Sequence, residues 1–147
     1  MTAEILKNAI SHNIAATVAT ICLMIYFLGT AVVFIAKPLK YGKNYSIQPV
    51  DEAGKTEIRV YYGAISAALG LFLGFLAFAC AKPFYALCGG LFFSNAVFWT
   101  RLIFTFVDKG WKCPYTKLAI PAEGAFILSL WICFIIAMVV EKATILG

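Results

Sequence analysis

Apolar residues run along this chain in four long blocks, separated by short polar stretches, without the alternation of half-buried strands. The blocks cover Ile14–Ala36, 58–81, 84–107 and 119–140, each 22–24 residues long. A helix needs about 20 residues to cross the hydrocarbon of a bilayer. Backbone polar groups find no water there, so each block must satisfy its own hydrogen bonds as a helix. The pattern predicts an all-α integral membrane fold: one domain, 1–147, built as an up-down bundle of four transmembrane helices.

The connections fit that expectation. Lys37-Pro38 closes the first block and Lys82-Pro83 the second, because proline disfavours helical geometry in the residue before it. Residues 37–57 read as a polar loop whose Lys40, Lys43, Lys55, Tyr41 and Tyr45 suit a headgroup layer. Lys109-Gly110-Trp111-Lys112-Cys113-Pro114 reads as turn material, and Pro121 as a residue in the first turn of the last helix.

Composition sharpens the class. The 147 residues are 63% hydrophobic and 13% charged, against about 45–50% and about 25% in soluble domains. That excludes an ordinary soluble enzyme, a disordered segment and a nucleic-acid-binding domain. The net charge of +5 comes from lysines beside the apolar blocks, where they set topology and meet anionic headgroups. Seven lysines (37, 40, 43, 55, 109, 112 and 117) fall in the connections after the first and third blocks. Three (7, 82 and 142) fall on the other side. The excess predicts that both termini lie outside the cytoplasm, by default in a bacterial inner membrane, with an organelle membrane as the alternative. The first thirteen residues, with Glu4, Lys7, Asn8 and His12, do not have the pattern of a cleavable signal peptide.

The candidate chemistry is a small polar set. Arg59 opens the second helix, Arg101 lies roughly 9 Å inside the end of the third, and Glu123 roughly 6 Å inside the fourth. Asp108 caps the third helix, and Glu57 with Tyr62 lies near Arg59. In an up-down bundle all of these approach one leaflet. Ser94, Phe98, Arg101, Thr105 and Asp108 share one helical stripe. A charge at such depth needs a partner or water. Two readings stay open: a polar pocket for a headgroup, anion or proton, or salt bridges that close the bundle. A second stripe, Gly63, Ala67, Gly70 and Gly74, predicts close approach of another helix, within the chain or in a second copy.

Five cysteines are present without a C-x-x-C pair, and His12 is the only histidine, so no metal site is predicted. Cys80 and Cys88 flank a tight turn but read as small apolar residues. No nucleophile–base pair or phosphate loop stands out, so no catalytic residue and no cofactor is predicted.

Glu57-Ile58-Arg59-Val60-Tyr61-Tyr62-Gly63, followed by Gly70, resembles the opening of helix two in a family of small four-helix membrane proteins of unknown function. That family is the domain of unknown function 4345 type, within the DoxX-like superfamily. Arg101, then Asp108-Lys109-Gly110, then Glu123 resembles its polar succession across helices three and four. Two positions depart from it: Ala64 stands where a second glycine is usual, and Thr100 precedes Arg101 where a small residue is usual. The resemblance implies a four-helix bundle and no established reaction, although the wider group includes proteins linked to quinone and thiosulfate oxidation.

Three functions are therefore carried forward. The first is a non-catalytic accessory, assembly or scaffold component with a membrane-protein partner or a second copy of itself. The second is a protein binding a lipid or small molecule, such as an anion or quinone, through the polar cluster. The third is a DoxX-like redox protein. Membrane lipids are expected partners in all three, and nucleic acid in none.

Overall fold

The computed structural model describes residues 13–146, which form five helices and no strand. Helix α1 (Ile14–Ala36) is started by Asn13, whose side chain accepts the Ala16 N–H at 3.1 Å. It stops where Lys37 turns out of helical geometry and Pro38 begins the short α2 (Pro38–Asn44). Helix α3 (Glu52–Ala79) is started by Asp51, whose carboxylate accepts the Gly54 N–H at 2.8 Å. Helix α4 (Pro83–Val107) follows after a tight turn, then one 3-10 turn at Gly110–Lys112, then α5 (Pro114–Leu146).

The predicted boundaries need correction at three places. The stretch 37–57 is not a loop: it holds α2 and the first turns of α3. Asp51 caps α3 seven residues before the apolar block begins, and a Lys55–Glu52 pair at 3.1 Å supports that charged turn. Helix α3 ends at Ala79 rather than at residue 81, because Ala81 adopts a left-handed φ of 52°. Helix α5 starts at Pro114 rather than at residue 119 and extends to Leu146 rather than to residue 140, so Pro121 lies in its interior. Hydropathy marks where a helix is apolar, whereas caps and prolines mark where it begins and ends.

The glycine stripe of α3 packs on α1. An added Cβ would lie 2.7 Å from Ile35 at Gly63, 2.9 Å from Leu28 at Gly70 and 2.6 Å from Met24 at Gly74. Positions 63, 70 and 74 thus oppose 35, 28 and 24, so the two helices run antiparallel with their backbones close. Ala67, on the same stripe, is half-buried. On α4, Gly90 does the same against Leu23 of α1, at 2.5 Å. Helix α5 lies antiparallel to α4, with Phe84 stacked on Phe134 at 5.7 Å and Trp131 beside Asn95. Asn13 also donates to the Ala137 carbonyl at 2.8 Å, which ties the start of α1 to α5.

The two halves of the bundle differ. Toward the α3–α4 turn, small residues (Ala16, Ala19, Ala77, Ala86 and Ala137) let the helices close on a solid core with Leu23, Leu73, Leu87 and Leu130. Toward the other end the facing residues are Tyr26, Phe34, Phe93, Phe98, Arg101 and Phe126, which hold the helices apart. Helix α3 meets α4 chiefly near their shared turn, and the two diverge from there. Outward faces are mainly apolar: Phe92 is 80% exposed, Leu118 74% and Ile25 68%.

Candidate functional site

The divergence of α3 from α4 leaves a cavity of about 720 Å³, walled by α1, α3, α4 and α5 and covered by Tyr45 and Ile47 from the segment between α2 and α3. Ligand pockets commonly measure about 300–1,000 Å³. Its walls are mainly aromatic and aliphatic, with Thr30, Ser66, Ser94 and several tyrosine hydroxyls among them. Arg101 and Glu123 are the charged residues that line it.

Arg101, from α4, donates through Nε to Glu123 Oε2 of α5 at 2.8 Å, and both side chains are half-buried. The Tyr115 ring lies 5.5 Å from the guanidinium carbon, a cation–π contact from the first turn of α5. From Tyr115 a chain of rings continues around the polar end of the cavity. Tyr45 lies 4.5 Å from Tyr115, Phe34 5.3 Å from Tyr45, and Tyr62 stacks on Phe34 at 5.2 Å.

Local backbone geometry builds this ring. Ser46 takes a left-handed φ of 60°, which turns the chain after α2 so that the Ile47 N–H bonds the Gly42 carbonyl at 2.8 Å. Ser46 Oγ also meets Cys113 Sγ at 3.5 Å, a second tie to the start of α5. On α3, residues Arg59–Ala64 form a π-helical turn. Single π turns widen a helix locally and recur at functional sites. Here the consecutive residues Tyr61 and Tyr62 both line the cavity.

The predicted polar set is divided by the structure. Arg101, Glu123 and Tyr62 come together in the cavity, with Ser94 and Phe98 of the α4 stripe. Glu57 instead lines a shallower depression outside it, with Asp51, Gln48 and Pro49, which adjoins the cavity through Ile47, Tyr61 and Tyr62. Arg59 turns toward α1 and donates to the Ile35 carbonyl at 3.2 Å, in the last turn of that helix. Asp108 is the exposed C-cap of α4, seven residues beyond Arg101. His12, Glu4 and Lys7 lie outside the described residues.

Sequence reasoning missed Tyr26, Phe93, Phe126 and Tyr115 at the site, and gave Tyr45 only an interfacial role. It also missed Asn95, whose amide donates to the Leu91 carbonyl at 2.8 Å and accepts from Trp131 Nε1 at 3.4 Å. A polar amide inside an apolar block was the available signal. The five cysteines are free, Cys80 and Cys88 included. Among the described residues no three His, Cys, Asp or Glu side chains gather as a metal site would require. At the rim of the site, hydrogen bonding from the Ser46 hydroxyl, then from backbone N–H groups of Thr116 and Tyr115, holds the Cys113 thiol below its ordinary pKa.

No protein-family model, curated protein or solved structure matches the chain.

Proposed function

We propose that this chain is a four-helix membrane protein, arranged up-down, that binds an amphiphilic lipid or small molecule in the cavity between α1, α3, α4 and α5. The observation that carries the reading is the cavity itself, about 720 Å³ of mainly apolar wall ending on the Arg101–Glu123 pair. Four helices are long and apolar enough to cross a bilayer. No more than 33% of their most apolar windows is buried within the chain. Such outward apolar faces suit lipid better than water. The gap between α3 and α4 then faces the bilayer laterally, and an acyl chain enters without crossing water.

Binding accounts for the cavity, which an accessory or scaffold role leaves unused. Kinship with the DoxX-like superfamily is proposed on the residue succession alone, and no reaction is carried over with it. The lysine distribution supports a cytoplasmic position for α2 and the Gly110–Lys112 turn, in a bacterial inner membrane. Native mass spectrometry of protein extracted with its own lipids tests the binding reading. One reproducible adduct is expected, lost in Ser94→Trp, which fills the cavity, while helical content is kept. An adduct that survives Ser94→Trp, or no adduct at all, sinks the reading.

A further inference from the structure

The way Arg101 is paired defines the headgroup this cavity accepts. Arginine carries five N–H donors, and a carboxylate that grips it fully takes two in parallel. Here the hydrogen bond to Glu123 runs through Nε alone. Among the described residues the terminal guanidinium nitrogens make no hydrogen bond, and neither does Glu123 Oε1. Both side chains keep some exposure, 29% for Arg101 and 20% for Glu123, and both line the cavity. The pair therefore offers the cavity a cationic fork and an anionic acceptor side by side.

Among the described residues the charges of the lining sum to zero, because Arg101 and Glu123 alone contribute to it. An anion bound at Arg101 alone lies close to the Glu123 carboxylate, and burying such an unbalanced charge is costly. A headgroup that carries both signs meets both partners and leaves no net charge buried. The surrounding rings of Phe34, Tyr45 and Tyr62 are compatible with an ammonium group as well as with a chain.

We infer that the ligand is a zwitterionic amphiphile, its phosphate or carboxylate on the terminal N–H groups of Arg101, its ammonium on Glu123, and its chain along the aromatic wall toward the α3–α4 gap. This assignment rests on the binding reading above and narrows it to one headgroup class.

The test is direct titration of the full chain in a neutral detergent with four probes, followed by native mass spectrometry. The probes are lysophosphatidylethanolamine (zwitterionic), lysophosphatidylglycerol (anionic), monoolein (uncharged) and soluble phosphoethanolamine. The zwitterionic lipid is expected to bind at least tenfold tighter than the other three. Arg101→Gln is expected to weaken it tenfold or more. Glu123→Gln is expected to weaken it about tenfold while leaving the anionic lipid unchanged or tighter. That opposite response separates loss of an ammonium partner from general damage, and it stands even if Arg101→Gln fails to fold.

If the three lipids bind equally and Ser94→Trp blocks them all, the headgroup assignment is overturned and the cavity reading stands. If the anionic lipid binds best and tightens in Glu123→Gln, the ligand is an anion and the assignment is again overturned. If phosphoethanolamine binds as tightly as its lysolipid, the chain is irrelevant and an amphiphile is excluded. If no probe binds, or Ser94→Trp changes nothing, both readings fall.

Discussion

Arg101 and Glu123 stand 22 residues apart in the chain, yet Nε and Oε2 meet at 2.8 Å and join α4 to α5 at the polar end of the cavity, away from the solid core. With side chains 29% and 20% exposed, the pair lies between a surface bridge and a fully buried one. Removing either partner strands the other, so Arg101→Ala and Glu123→Ala should each cost about 1–3 kcal/mol. The double substitution should cost less than the sum of the two. Thermal unfolding of the four proteins in one detergent measures this coupling. Additive losses would mean that the pair contributes no stability of its own.

Close helix approach is the second stabilising device, and two glycines separate it from mere composition. A Cβ at Gly90 would lie 2.5 Å from Leu23, which is fully buried in the core. Gly90→Ala should therefore push α4 off α1 and cost about 1–3 kcal/mol through overpacking. Gly29 has nothing within 4 Å of the corresponding position. Gly29→Ala should be neutral or stabilise by up to about 1 kcal/mol, because it removes only the entropic cost of glycine in a helix. Equal melting temperatures for the two variants would contradict the packing described.

These two devices were unequally visible in the sequence. Four apolar blocks and their proline junctions gave four long helices, since length and hydropathy are properties of the chain itself. The spacing of Gly63, Gly70 and Gly74 gave a packing stripe, and the single acidic residue of the last block pointed to Arg101. Helix starts were misplaced because Asp51 and Pro114 act through local hydrogen bonding and geometry, which hydropathy does not register. The cavity was not legible as a volume. It depends on which bulky residues face one another across helices, as Tyr26 and Phe126 do at 5.7 Å. The separation of Glu57 and Arg59 from Arg101 was hidden for the same reason: shared depth along the bundle axis does not fix direction around it, whereas Asp108 lies on the Arg101 stripe but seven residues further along the helix.

Cys113 provides a pH-dependent reporter at the rim of the cavity. The Ser46 hydroxyl, 3.5 Å from its sulfur, is the largest of the influences that hold this thiol below its ordinary pKa. A lowered thiol pKa means that the reactive thiolate is present at lower pH, so alkylation of Cys113 should begin at lower pH than for an ordinary thiol. Ser46→Ala removes that donor and should move the alkylation profile toward higher pH. Iodoacetamide labelling across a pH series, in protein whose other four cysteines are replaced by serine, measures both profiles. Coincident profiles would show that Ser46 does not stabilise the thiolate.

Membrane orientation can be read from two cysteines at opposite ends of the bundle. Cys113 lies beside Ser46, at the end that also carries Lys43, Lys109 and Lys112. Cys80 is exposed at the α3–α4 turn, where Lys82 is the neighbouring cation. Lysine excess marks the cytoplasmic side of short connections, so Cys113 should face the cytoplasm and Cys80 the outside. A membrane-impermeant maleimide should then label Cys80 in intact spheroplasts and Cys113 in inverted vesicles, each in protein carrying only that cysteine. The reverse pattern would invert the topology while keeping four spans. Labelling of both positions from one side would mean that α4, the helix between them, does not cross the bilayer, and the lateral route into the cavity would be lost with it.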